Sequence, residues 1–360
     1  NIEVITGAGK LTAPGKLLVA LEGGGEEEVQ AQDVILATGA QPTVIPGMEP
    51  DGTKIWDYKH AILAESLPKS AVIIGGGAIG IEFATVWSGY GVEVSVVEML
   101  PHILPNEDEE AAAELAKALK KRGVKTYAGT KVKSVEATET GTKVLIESEK
   151  GEETLEAELT LVAVGFKPNS KGIGLEELGV ETDKRGFVVV DDRMRTNIPG
   201  IWAIGDVTGK LLLAHTASSM GIICTENIAG KEPRTLDYRM IPRAVYSSPQ
   251  VASFGYTEAQ AKEAGFAVKV GKFNFQPNGK ALGLGEYQGW VKIITDEKYG
   301  EILGATIVGP DASELLPELV LAQANELTIE EIAHSVHAHP TLAEAVLEAA
   351  EAALGGAIHS

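Results

Sequence analysis

Two side chains near the C-terminus have the types and the spacing of a general base. His339 precedes Pro340, which biases His339 towards extended backbone and keeps it out of the helix that follows. Glu344 lies in the first turn of that predicted helix, where its carboxylate can reach back to the ring. A carboxylate that fixes the tautomer of an imidazole and stabilises the imidazolium turns the ring into a base. The pattern therefore indicates proton abstraction by His339, oriented by Glu344.

Two other interpretations of these residues stay open. Thr341 and Glu344 also form the sequence of a capping box, in which Glu344 would bond only its own helix start. His334, His337 and His339 are close enough in sequence for a metal site, although no cysteine lies near them and no other feature supports one. No metal is expected.

A second chemical pattern is a glycine-rich turn between a strand and a helix. The apolar run 71–74 predicts a buried parallel strand, and 78–88 has helical spacing. Between them Gly75 makes the tight turn, Gly77 lets backbone approach a pyrophosphate, and Gly80 allows close helix–strand packing. The helix N-terminus would offer free N–H groups and the positive end of its dipole to phosphates.

An acid completes the dinucleotide-binding pattern. Glu98 ends the next predicted strand, 92–97, and is placed to hydrogen-bond an adenosine ribose. Its charge would repel a 2′-phosphate, which favours NAD over NADP. We predict NAD contacts from the three glycines, Glu98, the helix-start residues Ala78 and Ile79, and Gly165 after the strand 159–164. The alternative is a glycine-rich turn in an ordinary α/β domain.

Another acid, Asp206, follows a short buried strand. Ile201 to Ile204 ends at Gly205-Asp206, where an acid can hydrogen-bond a ligand hydroxyl. An Asp in this position is equally often a turn former. A helix of small residues is predicted from about 214 to 229.

Composition limits the class of protein. The formal net charge of −20 over 360 residues argues against nucleic acid or an anionic membrane surface as partner. No apolar run approaches the ~20 residues that span a bilayer. The single cysteine, Cys224, excludes an internal disulfide and fits a reducing cytoplasm, or a mitochondrial matrix in a eukaryote.

The chain length and pattern predict two or three α/β domains. Antiparallel segments near 130–136 and 142–147 interrupt the nucleotide unit. We predict that Asn106 caps the next helix and that the acidic run 107–110 is a solvated helix end. From about 241 onwards, strands and then helices without strict alternation indicate an α+β domain with an antiparallel sheet.

These stretches together resemble the pyridine-nucleotide–disulfide oxidoreductases. The resemblance is carried by 75–98, 196–206, 337–344 and Ala37-Thr38-Gly39, and it covers essentially the whole chain. Within the family, the His-x-His-Pro-Thr-x-x-Glu motif resembles the members that oxidise dihydrolipoamide to lipoamide in 2-oxo-acid dehydrogenase complexes. The implied electron flow runs from dithiol to enzyme disulfide, FAD and NAD.

The resemblance implies a fold and a division of the chain. The fold is α/β, with a doubly wound, Rossmann-like NAD domain on a parallel sheet, the remnant of a second, FAD-binding Rossmann-like domain, and a C-terminal α+β dimerisation domain. The division is 1–40 for a first FAD-binding segment, 41–170 for the NAD domain, 171–240 for a second FAD-binding segment and 241–360 for dimerisation.

The resemblance also implies roles for residues. FAD would be bordered by Thr38, Gly39, Gly205, Asp206 and the helix start Leu213, Ala214 and His215. Glu82 would lie near the nicotinamide–flavin contact and pair with a lysine. In a homodimer the His339–Glu344 pair would serve the other subunit's flavin and disulfide. The substrate would be dihydrolipoamide on the lipoyl domain of an acyltransferase.

Several family features are missing. The first βαβ unit, the Cys-x4-Cys pair and the lysine partner of Glu82 are absent, and Phe166 stands where relatives usually have arginine. We therefore expect the C-terminal three quarters of such an enzyme, without dithiol oxidation by the isolated chain. The alternatives are a non-catalytic NAD-binding, dimerising fragment, a surface that chiefly docks onto an acyltransferase core, or another NADH-dependent flavoprotein such as an oxidase or peroxidase.

Overall fold

The structure is a computed structural model that describes residues 2–231 and 234–359. Its strands are β1 (Gly7–Ala13), β2 (Lys16–Leu21), β3 (Glu26–Gln30), β4 (Val34–Leu36), β5 (Ala40–Pro42), β6 (Ile55–Trp56), β7 (Ser70–Ile74), β8 (Glu93–Val97), β9 (Lys125–Tyr127), β10 (Lys131–Ala137), β11 (Thr142–Ser148), β12 (Gly151–Ala157), β13 (Leu159–Val162), β14 (Phe166–Pro168), β15 (Ile201–Ala203), β16 (Arg243–Val245), β17 (Gln250–Gly255), β18 (Val268–Asn274), β19 (Trp290–Asp296) and β20 (Ile302–Gly309).

The helices connect these strands. They are α1 (Tyr58–Ile62), α2 (Ala78–Gly89), α3 (Glu109–Lys121), α4 (Leu175–Leu178), α5 (Ala214–Ile228), α6 (Glu258–Glu263), α7 (Gly279–Leu284), α8 (Ala312–Ala324), α9 (Ile329–His334) and α10 (Glu344–Leu354), and Gly205–Thr208 form a 3₁₀ turn. Over the described ranges, none of the helices has both the length and the apolar character needed to cross a membrane.

The chain divides into two units. One consists of Asn1–Thr43 and Phe166–Tyr238, and the other of Val44–Gly165 and Arg239–Ser360. The division into four segments at residues 40, 170 and 240 remains a prediction.

The second unit contains the predicted parallel sheet. Its strand order is β6-β13-β7-β8-β9, and every neighbouring pair is parallel. Side chains alternate between the two faces of a strand. In β7, Ile73 packs with residues of α2 and α3, whereas Val72 and Ile74 pack with Val144 and Ile146 of the antiparallel sheet β10-β11-β12. The predicted antiparallel insert thus covers one face of the parallel sheet, and helices cover the other.

The start of α3 differs from the prediction. Asp108, not Asn106, is the N-cap, and its side chain accepts from the Glu110 N–H at 2.9 Å. Both residue types cap helices well, so the sequence did not separate them. The expectation of a solvated acidic end holds for Glu109 and Glu110, which are exposed, and is wrong for Glu107 and Asp108. Asp108 is 5% exposed and binds Lys292 at 2.7 Å, while Glu107 binds Arg243 at 3.1 Å.

The predicted antiparallel sheet of the C-terminal part lies in the same unit. Its order is β16-β17-β20-β19-β18, with antiparallel pairing throughout. Ile293 and Ile307 from this sheet share a core with Leu316 of α8, Ile332 of α9 and Val346 of α10. The α10 helix that follows His339 is therefore fixed on the sheet by buried apolar side chains.

The described part of the first unit contains three small sheets. These are the antiparallel β1-β2-β3, the antiparallel pair β5-β14 and the parallel pair β4-β15. The predicted strand at 201–204 and helix at 214–229 are confirmed, each one residue shorter.

Candidate functional site

The glycine turn after β7 has the geometry that its sequence predicts. Gly75 has φ +108°, and a Cβ there would lie 2.3 Å from the Ala163 carbonyl oxygen. A Cβ on Gly80 would lie 1.9 Å from the Gly75 oxygen, so the helix packs directly on the turn. At Gly77, by contrast, nothing lies within 4 Å of the same position. Two of the glycines are therefore required by packing, and the third leaves open space.

That open space lies at the start of α2. The helix begins at Ala78 with Gly77 as N-cap, and no side chain caps it. Its first turn, which includes Ala78 and Ile79, therefore leaves backbone N–H groups for a ligand. Gly165, three residues after the end of β13 at Val162, has φ +100° and nothing within 4 Å of its Cβ position. An uncapped helix and a cradle that a Cβ would fill fit the pyrophosphate of a dinucleotide.

Glu98 binds two backbone N–H groups, a role that the sequence did not predict in addition to the ribose contact. It is buried, its Oε2 accepts from the Gly76 N–H at 2.6 Å, and its Oε1 accepts from the Leu100 N–H at 2.8 Å. The carboxylate thus ties the glycine turn to the loop after β8. Each oxygen retains a lone pair, so the predicted bond to a ribose hydroxyl is compatible with this arrangement.

Glu82, in the first half of α2, has a partner that the sequence did not indicate. The Tyr246 backbone N–H donates to Glu82 Oε1 at 2.9 Å. Burial raises the pKa of Glu82, and the Tyr246 N–H only partly offsets this. A backbone donor 164 residues away in sequence leaves no signal in side-chain types.

The His339–Glu344 contact is present. The ring Nδ1 lies 2.8 Å from Glu344 Oε1, while 77% of the His339 side chain is exposed. Burial alone would raise the pKa of Glu344, but the Thr341 N–H and the His339 ring together lower it below its ordinary value. An ionised carboxylate only accepts, so Nδ1 is the donor. Nε2 is then left as the basic nitrogen of the ring.

Of the two hydrogen bonds that define a capping box between Thr341 and Glu344, one is present. Glu344 Oε2 accepts from the Thr341 N–H at 2.8 Å, as a capping box requires. The Thr341 hydroxyl instead donates to the Ala338 carbonyl at 2.7 Å, and α10 starts only at Glu344. Glu344 therefore binds its own backbone with one oxygen and His339 with the other.

The neighbouring histidines do not gather around a shared point. His337 Nε2 lies 2.9 Å from Glu318 Oε1, and its Nδ1 lies 2.9 Å from the Ser335 carbonyl oxygen. Among residues 2–231 and 234–359, no group of three or more His, Cys, Asp or Glu side chains could hold a metal ion. The Glu318 contact was missed because nothing in an Ala/Leu/Glu-rich helix marks one glutamate over another.

The residues predicted to border FAD lie in the first unit, after two neighbouring strands. Thr38 and Gly39 follow β4, and Gly205 and Asp206 follow β15, its parallel neighbour. Thr38 Oγ1 donates to the Asn169 carbonyl at 2.8 Å, and the Asn169 N–H donates to the Gly39 carbonyl at 3.0 Å. Ligands of parallel sheets lie at this carboxyl edge.

The other predicted FAD residues begin α5. Leu213 is its N-cap without a capping side chain, and Ala214 and His215 start the first turn. The next residue, Thr216, is fully buried, and its hydroxyl has no hydrogen-bond partner within the described chain. Burial raises the pKa of Asp206. An uncapped helix start with an unsatisfied buried hydroxyl in its first turn fits a polar cofactor.

Cys224 is not a nucleophile. It is fully buried in α5, and burial together with the nearby Asp33 charge raises its pKa to about 11. Reactive cysteines are exposed and have lowered pKa values. Cys224 therefore packs as a small buried residue.

Comparison with known proteins bears on both units. Residues 1–221 match the family model of the pyridine nucleotide-disulphide oxidoreductases, and residues 241–350 match its dimerisation domain. The chain is 46% identical to the dihydrolipoyl dehydrogenase of Mycobacterium leprae over 365 residues, covering 100% of this chain and 78% of that protein. The Corynebacterium glutamicum dihydrolipoyl dehydrogenase is 48% identical over 334 residues, covering 91% and 71%.

Solved structures show the same relationship. The crystal structure of LpdA from Mycobacterium tuberculosis superposes with a TM-score of 0.90 at 30% identity, covering 97% of this chain and 77% of that one. The flavoprotein disulfide reductase RclA from Escherichia coli superposes with a TM-score of 0.89 at 28% identity, covering 98% and 79%. This chain belongs to the pyridine nucleotide-disulphide oxidoreductase family, and its cofactors are FAD and NAD.

Proposed function

We propose that this chain serves the oxidation of dihydrolipoamide, in which dihydrolipoamide and NAD⁺ give lipoamide, NADH and a proton. FAD and NAD, when bound, supply the two-electron transfer. The observation that carries the proposal is the 2.8 Å contact between His339 Nδ1 and Glu344 Oε1, beside an exposed ring. The curated relatives named dihydrolipoyl dehydrogenase support the same reaction.

His339 acts as the base. Its Nε2 takes a proton from a thiol of dihydrolipoamide, and the Glu344 carboxylate stabilises the imidazolium that forms. The resulting thiolate is the species that attacks a disulfide sulfur. The ring is exposed on the single chain, which leaves it accessible to a substrate thiol.

The two carboxyl edges hold the cofactors. In the second unit, NAD would be held by Gly75, Gly77, Ala78, Ile79, Gly80, Glu98 and Gly165, with Glu82 near the nicotinamide. In the first unit, FAD would be held by Thr38, Gly39, Gly205, Asp206, Leu213, Ala214 and His215. The open position at Gly77 and the uncapped starts of α2 and α5 support this assignment.

The dimerisation domain supports a homodimer. Within it, we propose that each His339–Glu344 pair serves the flavin and the disulfide of the partner subunit. The substrate is the lipoyl domain of an acyltransferase, and the compartment is the bacterial cytoplasm.

The test needs a redox disulfide, and these 360 residues contain a single cysteine. In a fused enzyme, residues 1–360 replace the matching 78% of the M. leprae relative, and NADH formation from dihydrolipoamide is measured. We expect activity, and an about 10²–10⁴-fold lower turnover for His339→Gln. The control is His359→Gln, because His359 pairs with Glu348 in the same domain. Equal turnover in the two variants would contradict the proposal.

A second function, NAD binding without dithiol oxidation, is favoured by one observation. The only thiol of the chain is buried and has a raised pKa. The 360-residue chain alone is expected to quench or enhance NADH fluorescence on binding and to form no NADH from dihydrolipoamide. NADH formation by the chain alone would exclude this alternative.

A further inference from the structure

In the loop that contains His339, the His337 side chain is largely buried and contacts a helix. Residues 335–340 connect α9 to α10, and most of their side chains are exposed, with Val336 at 99%. The His337 side chain is 7% exposed. It is therefore the one member of this described loop whose side chain is largely withdrawn from water.

Both ring nitrogens of His337 are engaged. The Ser335 carbonyl oxygen lies 2.9 Å from Nδ1. Glu318 Oε1 lies 2.9 Å from Nε2. The ring is thus held from two directions, by its own loop and by α8.

His339 then lies between two anchors. Ahead of it is the His337–Glu318 contact to α8. Behind it, the Asn278 side chain donates to the Thr341 carbonyl at 3.1 Å, which fixes the backbone where α10 begins. Within the described residues, the exposed His339 ring hydrogen-bonds one side chain, that of Glu344. Its place therefore depends on the backbone on either side of it.

We infer that Glu318 and His337 are positioning residues that keep His339 Nδ1 within hydrogen-bond distance of Glu344. This inference rests on the proposed role of His339 as a base. A general base must present the correct nitrogen, and the Glu344 bond selects the tautomer with the proton on Nδ1. Releasing the loop on the α8 side would let the ring leave Glu344 and redistribute its tautomers. Glu318 and His337 touch neither substrate nor cofactor in this assignment.

The test reads the tautomer directly and needs neither cofactor nor substrate. Long-range ¹H–¹⁵N spectra of the histidine rings in the 360-residue chain are recorded at about pH 9, above the ordinary pKa of histidine. His339→Gln assigns the His339 signals. We expect Glu318→Leu and His337→Leu to lower the ratio of the Nδ1-protonated to the Nε2-protonated form of His339 by about 5-fold, as expected for a lost hydrogen bond. Glu318→Gln, which retains a polar partner for Nε2, should restore most of the ratio.

A matched control and a folding check complete the experiment. His359→Leu removes another His–Glu pair, between His359 after α10 and Glu348 on α10, and should leave the His339 tautomers unchanged. The Glu318 side chain is about one third exposed, so Glu318→Leu should remain folded by circular dichroism. An unchanged tautomer ratio in folded Glu318→Leu would overturn the inference. Unfolding of that variant would also overturn it, because the pair would then support the whole domain. The proposed reaction is measured separately by turnover, so either result leaves it standing.

Discussion

Two helices of the second unit, α3 and α10, begin with carboxylates that bind a basic side chain, and the two pairs have opposite surroundings. Asp108, the N-cap of α3, binds Lys292 at 2.7 Å, and the two side chains are 5% and 3% exposed. Glu344, the first residue of α10, binds His339, whose ring is mostly in solvent. The first pair joins a helix of the parallel-sheet region to the antiparallel sheet, and the second presents a nitrogen to the outside.

The comparison shows how burial changes the contribution of an ion pair to stability. A buried pair is expensive to break because the remaining charge has no water around it. An exposed pair adds little stability and leaves the ring free to exchange protons. We therefore expect substitutions at the α3 pair to change folding and substitutions at the α10 pair to change chemistry.

The largest effect should come from Lys292. Lys292→Met leaves Asp108 buried without its partner and should lower the free energy of unfolding by about 3–5 kcal/mol, measured by urea denaturation. Lys272→Met is the control. Lys292 and Lys272 both bind Glu110, at 2.6 Å and 3.2 Å, but Lys272 is partly exposed. It should cost less than about 1 kcal/mol. Similar losses in both variants would remove the distinction drawn from burial.

The glycine turn also has one position that affects folding and one that affects binding. Gly80→Ala places a Cβ against the Gly75 oxygen and should cost about 1–3 kcal/mol of stability through overpacking. Gly77→Ala has open space and should cost less than about 1 kcal/mol. Gly77→Ala should instead raise the dissociation constant for NADH, measured by fluorescence titration. A Gly77→Ala variant that binds NADH like the parent would argue against the pyrophosphate cradle.

Glu344 has a second contact, because its Oε2 also accepts from the Thr341 N–H ahead of α10. Glu344→Gln should cost about 1 kcal/mol at neutral pH, measured by urea denaturation. The pKa of Glu344 is lowered in the folded chain. Its contribution is therefore present above the ordinary glutamate pKa and is lost as the pH falls through the lowered value. The stability gap between parent and variant should close in acid, and a gap that widens there would be inconsistent with this sign.

The smallest effect on folding should come from His339. His339→Gln removes an exposed ring and should change the free energy of unfolding by less than about 0.5 kcal/mol. The same substitution has the large effect on turnover described for the fused enzyme. A loss of stability comparable to that of Lys292→Met would mean that the α10 pair is structural.

Local patterns predicted the glycine turn and the His339–Glu344 contact. The roles of Gly75 and Gly80 follow from steric limits within one strand–turn–helix segment, and His339 and Glu344 are only five residues apart. Such contacts leave a spacing that can be recognised in the chain.

Contacts between distant segments could not be predicted in the same way. Lys292 and Glu110 are 182 residues apart, and His337 reaches Glu318 only because α8 packs beside the loop. The acidic run was therefore interpreted as solvated, although its charge pattern suits a helix start equally well when buried. Charge type predicts where a carboxylate is tolerated, but packing decides which cation it meets.

The two-sided burial of β7 limits how the chain tolerates changes of length. Ile73 belongs to one core, and Val72 and Ile74 belong to the other. Inserting one residue within β7 would turn these side chains to the wrong faces and would move the glycine turn relative to Ala163. Length variation among homologues should therefore concentrate in exposed turns such as 23–25 and 149–151, while the strand keeps a fixed number of residues.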